Sequence, residues 1–150
     1  MQQLHFRTVI MKSYLTYFVL ICSFTLFCES NAQVIISNIN NPITTLSKAN
    51  LRNIFLGNTI TWATDQFIKV ADYTAESKVR KEFSNNYLDL TPQKVSMIWI
   101  KVSLSGKAVP PKIFRDEDEL KQFISENENA IGYVSSSQNL SSKLKVIQIK

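Results

Sequence analysis

The residues that could do chemistry are few, and where they stand removes most of it. Cys22, Cys28 and His5, the only thiols and the only imidazole, all fall in residues 1–32. That stretch has Arg7 and Lys12 ahead of an apolar run over residues 14–27, then Ser30, Asn31 and Ala32. Such an order reads as a cleaved Sec-type secretory signal, with small residues where the peptidase reads and the cut between Ala32 and Gln33. Translation starts at Met1 or Met11, and the run is too short for the ~20 residues of a spanning helix. Bulky Ile21 and Phe27 precede the two cysteines, so neither suits lipidation. An exported domain over residues 33–150 then has no thiol nucleophile, no imidazole base and no nitrogen or sulfur metal ligand. No cofactor, no metal and no enzymatic activity are expected.

Carboxylates are the remaining reactive groups. Asp116, Glu117, Asp118 and Glu119 stand together, but four acids in the first turn of a helix are what the helix dipole favours, and no glycine-turned ligand loop accompanies them. Setting aside Arg7, Lys12 and Glu29 leaves 15 basic against 11 acidic residues, well interspersed. That mild excess gives a general attraction for anions and no nucleic-acid stripe.

The elements that must position any site follow from periodicity. Residues 33–37, QVIIS, form an apolar run suited to a strand covered on both faces. The turn cluster NINNP leads to a helix capped by Ser47, with Leu51, Ile54 and Phe55 on one face and Gly57 as its stop. Residues 67–71, FIKVA, read as a second strand. A second helix begins near Glu76, with Val79, Phe83, Tyr87 and Leu90 inward and Lys78, Arg80, Lys81 and Glu82 outward. Thr91 and Pro92 open a third helix that buries Val95, Ile98, Trp99 and Val102 and ends at Ser105-Gly106. After the extended Val109-Pro110-Pro111-Lys112 comes the helix of Leu120, Phe123 and Ile124. Residues 130–134, AIGYV, are a strand whose Gly132 signals close approach of another backbone. Residues 144–149, LKVIQI, alternate like an edge strand. Strands separated by helices predict one α/β layer domain with a mixed, mostly parallel sheet flanked by helices.

Three stretches in this order carry a resemblance: NNPITTLSKANLRNIFLGNTITW, DYTAESKVRKEF from Asp72 to Phe83, and ENAIGYV ending at Val134. Together they resemble the phosphate-type periplasmic substrate-binding proteins, and most closely their small single-lobe relatives, called phosphate ABC transporter substrate-binding protein-like. The resemblance implies a single-lobe periplasmic-binding-protein-like fold and an oxyanion held at a helix N-terminus, where free N–H groups and the dipole favour negative charge. Carried over by position, Ser77 keeps the family's serine and Arg80 an arginine one turn on. Tyr73 stands where the binding arginine would be, Glu76 and Lys78 replace two glycines, and Val79 replaces a threonine.

The ligand-binding candidates are accordingly Ser77, Lys78, Tyr73, Arg80 and Asp72. Ser37 and Asn38 join them because ligands of open α/β sheets gather at carboxyl ends of strands. Without the resemblance, Ser77 is a helix cap, Arg80 a solvent-facing residue and Asp72 a brace for its turn. The expected function is non-catalytic, periplasmic binding of a small oxyanion, phosphate by resemblance, in connection with ABC-type transport. Affinity should be weak, since one lobe lacks a closing jaw unless a homodimer or an envelope membrane protein supplies it. The alternative is an accessory interaction protein of the envelope with a degraded pocket.

Overall fold

Local turn chemistry sets the first unit. The computed structural model describes residues 33–150; the proposed signal, the cut after Ala32 and the two candidate start codons lie outside the described residues. Strand β1 (Val34–Asn38) ends in a turn where Asn38 Oδ1 accepts from the Asn40 N–H and Asn41 Oδ1 from the Ile43 N–H. A two-residue strand, β2 (Thr45–Leu46), leads into helix α1 (Lys48–Phe55). Ser47 caps α1 by accepting from the Asn50 N–H at 3.1 Å, and Leu51, Ile54 and Phe55 are its buried face. Gly57 ends the helix at φ +72°, and a Cβ there would meet the Trp99 ring at 3.1 Å. Only glycine satisfies both constraints without strain.

The rest alternates. In chain order come β3 (Lys69–Tyr73), α2 (Lys78–Phe83), α3 (Pro92–Leu104), β4 (Lys112–Phe114), α4 (Glu117–Glu126), β5 (Ala130–Val134), β6 (Leu144–Val146) and β7 (Gln148–Ile149). The main sheet has the order β4-β3-β5-β1-β6, with β3 parallel to β4 and β5, and β1 antiparallel to β5 and β6. Four strands thus run one way and β1 the other. A small second sheet pairs β2 with β7 in parallel. The mixed α/β architecture is the expected one, and no helix among the described residues is long and apolar enough to cross a membrane.

Strand alternation distributes the helices. On one side of β5, Gly132 faces α4, where an added Cβ would stand 2.7 Å from Ile124 Cδ1 and 3.3 Å from Leu120 Cδ2. On the other side Tyr133 stacks on Phe83 of α2 at 3.8 Å and meets Phe55 of α1 edge-on. All five residues of β5 are buried, as a central strand covered on both faces requires.

Several expectations change. Gly132 makes room for apolar side chains of α4 and Ala71, not for a backbone. Strands β2 and β4 were not anticipated, because two or three residues are too few for a period to register. The second strand starts at Lys69, since Phe67 bridges back to Thr61 and stays 70% exposed. The second helix is α-helical only to Phe83, then makes a π turn over Ser84–Leu88 that Asp89 closes at φ 50°. Most consequential is Arg80, which is buried, not turned to solvent.

Candidate functional site

Because β3, β4 and β5 run parallel, their carboxyl ends share one margin of the sheet. β3 delivers Asp72 and Tyr73 there, and a short turn carries the chain into α2. Ser77 caps that helix, accepting from the Arg80 N–H at 3.5 Å, and its own N–H donates to Thr74 O at 3.0 Å. The N–H groups of Lys78 and Val79 have no carbonyl behind them in the helix. Lys78 is exposed and lies 3.7 Å from Glu82, one turn on.

Beneath this turn lies a buried charged network. Arg80 Nη2 stands 3.1 Å from Asp72 Oδ2, both side chains being 5% exposed. Arg80 also donates to Tyr73 O at 2.7 Å and to Ser96 Oγ of α3 at 3.1 Å. Asp72 accepts from the Tyr73 N–H and from the Tyr133 hydroxyl. Burial pushes the Asp72 carboxyl above its ordinary range, against the pull of Arg80, Tyr133 and the Tyr73 N–H. Burial likewise raises the Tyr133 phenol, and the neighbouring Asp72 charge adds to it. Tyr73 is also raised, by burial first and then by Glu117, Asp116, Asp72 and Asp118. Tyr73 Oη and Arg80 Nε are the buried side-chain polar atoms left without a hydrogen bond among the described residues.

The proposed ligand residues thus divide into three groups. Ser77 and Lys78 flank the opening of α2. Asp72, Tyr73 and Arg80 sit directly below it, enclosed in the fold. Ser37 and Asn38 are elsewhere: β1 is antiparallel, so its carboxyl end lies at the amino ends of β5 and β3. There Ser37 Oγ donates to Ala130 O, and Asn38 Nδ2 donates to Ile124 O and Ser125 O, tying β1 to β5 and α4. Arg80 lines a hollow of about 350 Å³, with Ser96, Trp99, Ile100, Ser103 and Leu104 of α3 and the Pro110-Pro111 segment.

Two features of this margin escaped the sequence. Tyr133 and Ser96 complete the Asp72–Arg80 network; a signal for Ser96 was its place one helical turn before buried Trp99. Beyond β5, Glu117 Oε2 accepts from the Ser135 N–H at 3.0 Å and the Ser135 hydroxyl at 2.8 Å. Burial alone would raise Glu117, but these bonds and Lys121 at 2.9 Å bring it below its ordinary value. The carboxylate occupies donors that an oxyanion could otherwise use. Among the described residues no cluster of three or more His, Cys, Asp or Glu residues could hold a metal ion.

The sequence model of a family described as a PBP superfamily domain matches residues 30–148. The chain belongs to that family. Solved structures share its fold. An ABC-type phosphate transport receptor from Vibrio cholerae aligns with TM-score 0.55 and 23% identity over 78% of this chain and 45% of the other. A phosphate ABC transporter substrate-binding protein with bound phosphate, from Clostridium perfringens, gives 0.58 and 21% over 78% and 44%. PstS from Borrelia burgdorferi gives 0.61 and 17% over 79% and 47%. The chain spans less than half the length of each. Among curated proteins none matches it by sequence. Membership in this substrate-binding family supports a solute-binding role.

Proposed function

We propose that the protein is a non-catalytic, exported solute-binding module that takes a small oxyanion, phosphate or a similar ion, in the service of ABC-type transport. The observation that carries this reading is the start of α2. It follows β3 directly at the carboxyl margin of the sheet, with the Ser77 hydroxyl, the Lys78 cation and two N–H groups lacking helical acceptors. The phosphate-bound relative from Clostridium perfringens supports the ligand class. With Arg80 already paired to Asp72, this domain holds the ion weakly by itself, and a second protomer or a membrane protein adds a further wall. The periplasm is the expected compartment.

Thermal unfolding in phosphate, sulfate and chloride tests this. A ligand that binds only the folded state at ten times its Kd adds about 1.4 kcal/mol, or a rise of roughly 5–6 °C for a domain of this size. Ser77→Ala and Lys78→Ala should each reduce the phosphate shift. Equal shifts in all three salts, or none at tens of millimolar phosphate, refute it.

A second reading has its own observation. The arginine that could supply charge is neutralised by Asp72, and Glu117 takes the Ser135 donors. Those contacts suit an accessory envelope protein whose pocket has closed, and this reading stands if no anion stabilises the fold.

A further inference from the structure

Most of the exposed large apolar side chains fall in one segment of the chain. Met97, Ile100 and Leu104 make a stripe on α3, with Leu104 84% exposed, followed by Val109 at 87% and Ile113. Ile100, Leu104, Pro110, Pro111 and Ile113 line one 350 Å³ hollow, with Arg80 and Ser96. An apolar patch of this continuity marks an interaction surface. Its area says how large a partner it fits. The five exposed side chains leave on the order of 600 Å² uncovered, and a standard homodimer interface takes about 800 Å² from each copy, roughly two-thirds of it apolar. The patch therefore carries about the apolar area that one half of a stable dimer needs.

The patch borders an open sheet edge. β4 is the outermost strand, with β3 on one side only. Phe114 O accepts from the Thr74 N–H, so the polar groups of Phe114 point toward β3. By strand alternation the N–H and C=O of Ile113 point to the empty side. Pro111, the preceding outward position, has no N–H to offer. The edge thus suits pairing at a single residue, not a long added strand. A two-fold axis at Ile113 satisfies it, because opposed residues in an antiparallel pair exchange both N–H···O bonds.

We infer that the protein pairs with a second copy of itself about a two-fold axis at Ile113, with β4 antiparallel to the partner's β4 and the two α3 stripes packed together. The same patch then covers itself on both molecules, as an isologous interface requires. Directly opposed residues share a face, so the two Ile113 side chains meet on the side of the α3 hollows. On the other face this register sets Lys112 opposite the partner's Phe114. Lys112 Nζ already lies 5.4 Å from the Phe114 ring and 4.7 Å from that of Phe123, where Glu119 and Glu126 share a hollow with them. A second Lys112 arriving there meets aromatic faces and two carboxylates, which receive its charge. Lys101 and Lys107 are exposed and keep their charges at the rim, screened by water and salt.

Sedimentation equilibrium of the exported protein tests this, with a monomer–dimer equilibrium expected in the micromolar range and persisting at 0.5 M salt. Leu104→Glu should weaken association on the order of tenfold for each of the two anchors lost. Because Leu104 is largely exposed, its replacement leaves the fold intact, which the melting temperature checks. Ile113→Cys reads the axis itself. Opposed Cα atoms about 5.5 Å apart lie within disulfide reach, and residues 33–150 hold no other thiol. Under oxidised glutathione Ile113→Cys should form a covalent dimer much faster than Lys143→Cys, which lies next to β6 at the opposite edge of the sheet. The inference stands apart from the anion reading: one is read as mass and the other as a phosphate-dependent melting temperature, so either can fail alone. A monomer at 100 μM, an unaffected Leu104→Glu, or equal crosslinking of the two cysteine variants overturns the proposal. So does a monomer that attaches to phosphatidylglycerol vesicles, which would give the patch to a lipid surface.

Discussion

Replacing Arg80 by methionine separates a brace from a ligand contact. The guanidinium and the Asp72 carboxylate are 3.1 Å apart and each 5% exposed, with further bonds to Tyr73 O and Ser96 Oγ. Arg80→Met keeps the aliphatic bulk but leaves a buried carboxylate facing only the Tyr133 hydroxyl and the Tyr73 N–H. Breaking one side of such a pair costs about 3–5 kcal/mol. For roughly 118 folded residues the unfolding entropy is about 0.25 kcal/mol per kelvin, so the melting temperature should fall by roughly 12–20 °C. Urea unfolding followed by fluorescence reads this directly, because Trp62 and Trp99 are both buried. Arg80→Met with Asp72→Asn should cost less than Arg80→Met alone, since the lone charge is gone. The single-variant penalty should also shrink in acid, where the Asp72 carboxyl, already raised by burial, takes a proton. A loss below about 1 kcal/mol, or lost anion stabilisation at unchanged melting temperature, would refute the bracing role and restore Arg80 as a ligand residue.

Three further outcomes follow from the packing and the charges. Gly132→Ala should destabilise by about 1–3 kcal/mol through overpacking, and Ile124→Val, which removes the Cδ1 atom 2.7 Å away, should recover part of it in urea titrations. Gly57→Ala should cost about 1–2 kcal/mol from left-handed strain, with the Trp99 ring at 3.1 Å adding to it and its fluorescence reporting the shift. Glu117 is depressed in the folded state, so its contribution is present above its ordinary value of 4.5 and is lost as pH falls through the folded value. The stability gap between wild type and Glu117→Gln should therefore be open at neutral pH and close in acid; a gap constant from neutral pH to pH 3 would count against the Ser135 and Lys121 contacts.

Much of the scaffold was legible because its signals are local. Ser47, Ser77 and Thr91 cap the helices they precede, and Gly57 stops α1, since a cap depends on three or four neighbouring residues; Asp116, read as one of four acids in a first turn, is itself the cap of the three that follow. The alternation of sheet and helix carried the α/β class, and the three motif stretches carried the family. The directions of the strands were not local. β1 runs against its neighbours, which moves Ser37 and Asn38 to the far margin and separates them from Ser77, although Ser37 and Asn38 end one strand and Ser77 follows another in the sequence.

What the sequence determined by itself was the set of elements, their caps, and the absence of thiol and imidazole from residue 33 onward. The tertiary structure alone decided which charges are free. Helical periodicity places Arg80 beside Lys81 and Glu82 and cannot register that α3 and β3 close over it, because burial is a property of what packs against a residue from far along the chain. The same holds for the open edge of β4. Three residues carry too little period to announce a strand, and whether a strand has one neighbour or two is settled only when the whole sheet is assembled.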